Sequence, residues 1–489
     1  MRFLTTLVVL ALAGRTAEAQ PGADTWAKLD TIAFHLARIA RAHGETIWPG
    51  FRPDTVPVAF VMPARGTALF NWRGGLPEGF VPIEGARDGA WREERALGAA
   101  STGTILGGRP VAQVVVGSLD PAALLSTAIH EAFHVFESAA ARPTRRFGRG
   151  ENSFYVASYP VFDADNEWMF AREGELLGQA LLASGLERKR DFARQFVAVR
   201  RARHQRLDDT FAQFDEASEM NEGLAQYAQV RTLDLMVKDA MLPAEWRQLA
   251  RKRLVEEDKS LTNLTGNVKQ SFRLRFYSTG PAQARLLDAI AGPAWKLAMM
   301  ERNETLQDAL ARATGMDVME ERALLRATRA ADRARAGGAA RAAVARLRAL
   351  RAAQVDSLLS RPGILLELSA AELPAKTFGS CGFDPQNLLQ VSATMQLHTR
   401  WWRPCAGKSL VSEFNVPSVN DAKEGMIRAV IGPESEVRVT VAGQSLLLAD
   451  GQRLNAATDV RVEAPRASVQ SARANLWMSG RTLRITPLP

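Results

Sequence analysis

Two of the six histidines stand four residues apart, with a glutamate directly after the first: His130-Glu131-Ala132-Phe133-His134. On a helix, residues four apart share a face, so both imidazoles can reach one ion. Glu131 then lies beside the water that such an ion binds. A tetrahedral zinc with one open position lowers the pKa of that water toward about 7. The carboxylate can take its proton and later pass it to a leaving nitrogen. With so few histidines in 489 residues, chance supplies an H-E-x-x-H roughly 0.004 times per chain. The alternative reading is a pair of ordinary histidines on a structural helix.

The flanking residues are those that would position such a helix. Pro110 to Gly117 is an apolar strand, and Pro121 stands near a helix start. Leu125, Ile129, Phe133 and Phe136 then form an apolar stripe, while Thr127, His130 and His134 fall on another face. The 110–117 strand is expected to act as the edge that aligns an extended peptide.

Two histidines leave the ion one protein ligand short. The chain has Glu137 and Ala140 where a metzincin would carry glycine and histidine. The best third ligand is Glu222, in Asn221-Glu222-Gly223-Leu224-Ala225-Gln226-Tyr227. This segment resembles the N-E-G-x-A-x-Y segment of the gluzincin metallopeptidases, the superfamily of thermolysin and the aminopeptidase N-like enzymes. The resemblance implies zinc held by His130, His134 and Glu222, with Glu131 as general base. It covers two short motifs and loosely the element order of about 55–300. Glu222 lies 88 positions after His134, much further than in those families. An inserted helical hairpin over about 142–210 would account for that, and leaves Glu167, Glu173 and Glu175 as competitors.

The attacked carbonyl develops negative charge and needs a donor. The chain has four tyrosines, and Tyr277, 55 positions after Glu222, resembles in placement the catalytic tyrosine of the aminopeptidase-like group. Tyr227 is its rival. Thermolysin-like enzymes carry an aspartate one turn after the third ligand, but here that position is Gln226. Asn221, Gln226 and Glu137 are the candidates to orient the imidazoles instead. No G-x-M-x-N motif occurs over 100–120, so the substrate anchor of the aminopeptidases is missing and an endopeptidase is at least as well supported.

Around the motif the chain reads as an α+β protein. A helix is expected over 20–45, then a small sheet over 55–118 with strands at 56–61, 67–72 and 110–117. Residues 121–360 are mostly helical, with helices over 164–185, 187–210 and 216–240. The stretch 322–351 holds nine arginines among alanines and reads as a solvated helix pair broken at Gly337-Gly338. Short strands resume from about 375, at 388–398, 436–441, 445–448, 459–462 and 483–485, in a C-terminal sandwich or barrel. Cys381 and Cys405 both fall there, as one disulfide or as two free thiols.

The first residues bound the compartment. Arg2, the apolar run Phe3 to Gly14 and Ala17-Glu18-Ala19 make a secretory signal peptide, cleaved after Ala19; a retained anchor is the alternative. No later run is long enough to span a bilayer. The expected organisation is a signal peptide at 1–19, an N-terminal α+β sublobe with the zinc helix at 20–140, a helical lobe with the third ligand at 141–365, and a β domain at 375–489. Net charge is +9. No zinc-finger spacing or RNP-like aromatic run supports nucleic acid, so the charge fits an anionic envelope surface instead. The sequence therefore predicts a secreted or periplasmic zinc peptidase acting on peptides or proteins. The other reading is a secreted binding protein that keeps the scaffold without turnover.

Overall fold

The computed structural model describes residues 22–489, apart from 64, 94–99, 262–263, 265–270, 448 and the side chains of 328–337. The expected signal peptide lies outside the described residues. No helix among the described residues is long and apolar enough to cross a membrane.

The molecule is an α+β protein with a small N-terminal sheet, a central helical lobe and a C-terminal all-β region. Helix α1 (Ala23–Ile47) buries Leu29, Ile32, Leu36 and Ile39, the spacing that puts them on one face. Strands β1 (Val58–Met62), β2 (Gly66–Phe70), β3 (Val81–Pro82), β4 (Ala90–Glu93), β5 (Thr102–Leu106) and β6 (Arg109–Val115) follow. They pair in the order β3-β4-β2-β1-β6-β5, with β1 and β6 parallel. This corrects the expectation for the 110–117 strand: β6 is interior, and the edge is β5. The reason is burial. Val111, Ala112 and Val114 are covered, as an interior strand requires, whereas β5 is nowhere fully buried.

Helix α2 (Pro121–Ala140) carries the H-E-x-x-H motif. Its start is fixed locally. The Asp120 carboxylate accepts hydrogen bonds from the backbone N–H groups of Ala122 and Ala123, and Pro121 takes the first turn, where no N–H is needed. Arg253 clamps the same Asp120 at 2.6 Å. Leu125, Ile129 and Phe133 are fully buried, so the apolar stripe points into the core and the histidine face is set by default.

The helical lobe contains α3 (Ala164–Leu182), α4 (Leu186–His204), α5 (Asp209–Ser218), α6 (Leu224–Lys238), α7 (Ala244–Ser260), α8 (Phe276–Ala291), α9 (Trp295–Arg302), α10 (Leu306–Thr314) and α11 (Val318–Leu359). The helix expected over 216–240 is in fact interrupted by a π-turn at Glu219–Gly223, between α5 and α6. The expected break at Gly337-Gly338 does not occur: α11 is one helix of 42 residues. Each interior glycine costs about 1 kcal/mol against alanine, and the surrounding alanines and arginines, strong helix formers, carry the helix through.

The C-terminal strands begin at Leu365–Ser369 and join one sheet network of 13 strands. The strand expected over 388–398 is a hairpin, Leu388–Gln390 against Met395–His398. Cys381 and Cys405 are disulfide-bonded, which decides between the two cysteine readings.

Candidate metal centre

Three side chains from two distant segments converge. His130 Nε2 and His134 Nε2 are 3.1 Å apart, and Glu222 Oε2 lies 3.5 Å from the first and 3.3 Å from the second. Zinc bonds of about 2.0–2.2 Å at tetrahedral angles place ligand atoms about 3.3–3.6 Å apart, so these three atoms fit one face of such a polyhedron. Of the described residues, these are the only His, Cys, Asp or Glu side chains grouped so that they could hold a metal ion. The donor set, two imidazoles and a carboxylate, also suits zinc.

The charges around the three atoms agree. Burial alone would raise the Glu222 carboxyl, but Arg273 and then His134 hold it well below its usual range. Burial alone would lower His134, yet Glu222 and Glu137 carry it well above. The spot thus favours a carboxylate at Glu222 and positive charge between it and the imidazoles. Burial pushes the Glu131 carboxyl upward. Glu131 is 5% exposed and lines the same cleft as the three ligand candidates.

The competing glutamates are occupied elsewhere. Glu173 is fully buried between Arg200 and Arg203, at 2.8 and 2.7 Å. Glu167 is gripped by both terminal nitrogens of Arg275, at 2.7 and 2.6 Å. Glu175 pairs with Arg172 on the surface. Glu222 alone among them faces the histidines, because the π-turn aims it there. That turn is held from below. Arg200 forks onto Glu219, the first residue of the turn, through two bonds of 2.8 Å, and the Thr279 hydroxyl donates to 2.5 Å from the same carboxylate. A π-turn of this kind is a frequent mark of functional sites.

Tyr277 is brought to the site and Tyr227 is not. The Tyr277 ring stacks on His130, with centroids 5.8 Å apart and planes 6° from parallel. Tyr227 is buried, donates to Asp288 at 2.7 Å and lies in an aromatic cluster with Trp48 and Trp295. The Tyr277 hydroxyl accepts from Arg273 Nη1 at 3.1 Å and from Gln386 Nε2 at 2.9 Å. Both lone pairs are then engaged, and the phenolic proton faces the Glu222 carboxylate. Burial raises this phenol well above its ordinary range, with Arg273 opposing, so the proton stays on.

Among the candidates for orienting the imidazoles, Glu137 makes the contact: its Oε2 lies 3.2 Å from His134 Nδ1. Burial pushes that carboxyl up to about 7. Gln226 bonds instead to Glu257 on α7, whose carboxylate also faces His130 electrostatically. No hydrogen-bond partner reaches the buried His130 Nδ1 among the described residues.

Two residues escaped the sequence reading. Arg273 donates to Glu222 Oε1 at 2.5 Å, bonds Glu151, and holds the Tyr277 hydroxyl. Its position four residues before Tyr277, one helical turn, was the available signal. Gln386 comes from the C-terminal region and had none.

No family model, curated protein or solved structure matches this chain. The assignment of function therefore rests on the site alone.

Proposed function

We propose that this chain is a zinc-dependent peptidase, exported to a secreted or periplasmic location with its leader cleaved after Ala19. The observation that carries the chemistry is the convergence of His130 Nε2, His134 Nε2 and Glu222 Oε2 within 3.5 Å of one another. The export reading rests on residues 1–19 alone.

In this reading His130, His134 and Glu222 hold the ion. When bound, zinc supplies Lewis acidity, polarising the scissile carbonyl and making water acidic near neutral pH. Glu131 accepts the proton of the attacking water and delivers it to the departing amine. Tyr277 donates its phenolic proton as a hydrogen bond to the carbonyl oxygen as charge builds there. Arg273 keeps Glu222 ionised and the tyrosine oxygen in place. Among the described residues β5 is the unpaired edge of its sheet, and it lies over α2, where a Cβ added at Gly103 would come within 3.4 Å of His134 Cβ. An extended peptide can add to that edge as a further strand.

The test is metal analysis with a peptide-library digest of the purified protein. The expected result is about one zinc per chain and cleavage that Glu131→Gln abolishes while zinc stays bound. Hydrolysis surviving that substitution removes the mechanism. Bound zinc with no cleavage by the unaltered protein turns the reading to a binding protein on the same scaffold.

A further inference from the structure

The cleft over the candidate metal centre has a volume of about 650 Å³; beside the edge of the N-terminal sheet at Ser101–Gly103 it has two further walls. One is the α2, π-turn and Tyr277 wall. The other is the C-terminal β region, which contributes Asp384, Pro385, Gln386 and Arg400. This second wall is firmly seated. Leu388 is buried in the same apolar cluster as Val156, Tyr159, Phe272 and Phe276, with Phe383 packed against it. Gln390 Nε2 donates to the Val156 carbonyl at 2.9 Å, and Arg351 donates to the Gln390 carbonyl at 2.5 Å.

The two segments that present Gln386 and Arg400 are also tied to each other. Asp384 N donates to the Trp401 carbonyl at 3.2 Å, and Thr399 N to the Asn387 carbonyl at 2.9 Å. The strands beyond them, Gly379–Phe383 and Trp402–Ala406, pair antiparallel and carry the Cys381–Cys405 disulfide. Arg400 therefore projects from a braced turn.

The cleft lining holds two guanidinium groups, and their situations differ. Arg273 is spent on Glu222, Glu151 and Tyr277. Arg400 is exposed, and among the described residues it has no carboxylate or carbonyl partner. The neighbouring Asp384 makes no ion pair with it: its two oxygens accept from Gln386 N at 3.0 Å and Asn387 Nδ2 at 2.8 Å. A planar fork of donors left open in a cleft matches one ligand chemistry closely, the carboxylate.

We infer that Arg400 is a substrate-binding residue that receives a carboxylate of the peptide, so that the C-terminal β region sets specificity. This rests on the peptidase reading of the same cleft. A peptide offers the group in two forms, its free C-terminus or an acidic side chain.

The experiment separates these sources and separates this inference from the reading beneath it. Short mixed-sequence peptides are made in three forms: neutral with a free C-terminal acid, neutral with a C-terminal amide, and amidated with one glutamate. Binding to the zinc-loaded Glu131→Gln protein is followed by fluorescence anisotropy, alongside cleavage by the unaltered enzyme. At least one carboxylate form should bind about 10–100-fold tighter than the neutral amide. Arg400→Gln should erase that preference with the zinc content unchanged, and Arg400→Lys should restore part of it. Preference for the free acid identifies the C-terminus as the source, and preference for the glutamate peptide the side chain. Equal binding of all three forms, or a preference that survives Arg400→Gln, overturns the inference. Cleavage without carboxylate preference overturns it and leaves the peptidase standing. Carboxylate-dependent binding without cleavage keeps Arg400 and removes the peptidase. Neither binding nor cleavage overturns both.

Discussion

Gly223 and Gly280 meet backbone to backbone, where the π-turn crosses α8. A Cβ on Gly223 would fall 2.7 Å from Gly280 Cα, and one on Gly280 would fall 2.5 Å from Gly223 Cα. The contact sets the distance between Glu222, one residue before Gly223, and the turn of α8 that bears Tyr277. Neither partner is a flexible side chain that can yield. Gly280→Ala should therefore push α8 off the π-turn, at a cost of about 1–3 kcal/mol. Zinc affinity and turnover should fall together, and titration of the apo-protein with zinc, beside a thermal melt, reads both. An unchanged zinc affinity would show that the two elements are not coupled.

Arg273 links the proposed third ligand to the proposed donor. Arg273→Met removes its bonds to Glu222, Glu151 and Tyr277 together. Losing a partner that orients a ligand typically costs 10–100-fold in metal affinity, so about that loss is expected. Competition with a chromogenic chelator measures it. Retention of full affinity would mean that Glu222 needs no such support.

The charge cluster beneath the π-turn should dominate the stability of the helical lobe. Arg200 is fully buried against Glu173 and Glu219. Arg200→Met leaves the buried Glu219 carboxylate without its cation, while Glu173 keeps Arg203, and about 3–5 kcal/mol should be lost. Denaturant unfolding gives the number. The double variant that also carries Glu219→Gln should recover part of the loss, since one stranded charge is then gone.

His398 makes the C-terminal region sensitive to acid. It is buried, stacks on Trp402 with planes 3° apart, and neither ring nitrogen finds a partner among the described residues. Burial pushes its pKa down to about 3 from an ordinary 6.5. The folded protein thus binds this proton less readily than the unfolded chain. Stability from this group is complete above about pH 6.5 and is lost as pH falls from there toward 3, to a limit of about 5 kcal/mol. His398→Phe keeps a flat ring on Trp402 and should flatten the dependence of Tm on pH across that window. An unaltered slope would assign the acid sensitivity to other groups.

The Cys381–Cys405 bond closes a loop of 24 residues that contains Gln386 and Arg400. Its removal by Cys381→Ser with Cys405→Ser should cost about 3 kcal/mol in thermal or denaturant unfolding. Any carboxylate preference should weaken with it, because the braced turn is then free to move.

Much of this protein is written in local spacing. The four-residue step between His130 and His134, the apolar stripe of Leu125, Ile129 and Phe133, and the Asp120-Pro121 start together specify a helix with both imidazoles on one face. Those are short-range facts, and a single sequence contains them. The same holds for α1, α3 and α4, whose periodicity extends over five or more turns. Strand β5 is as long as β1 and β2 but is nowhere fully buried and includes Gly103, so it shows no apolar run, and the π-turn has no local signature beyond its glycine.

Which glutamate meets the two histidines is a different kind of fact. Glu167, Glu173, Glu175 and Glu222 are the same residue type on similar helices, and spacing could only rank them. Packing separated them: arginines from α4 and from the segment before α8 claimed Glu173 and Glu167, and the close crossing at Gly223 and Gly280 fixed Glu222 at the histidines. Arg273 and Gln386 became part of the cleft in the same way, through contacts that span 51 and 109 residues of chain. The sequence by itself determined the helix that presents both histidines on one face, because helix geometry depends only on near neighbours. The tertiary structure alone decided what faces it, because that depends on how distant segments share one interior.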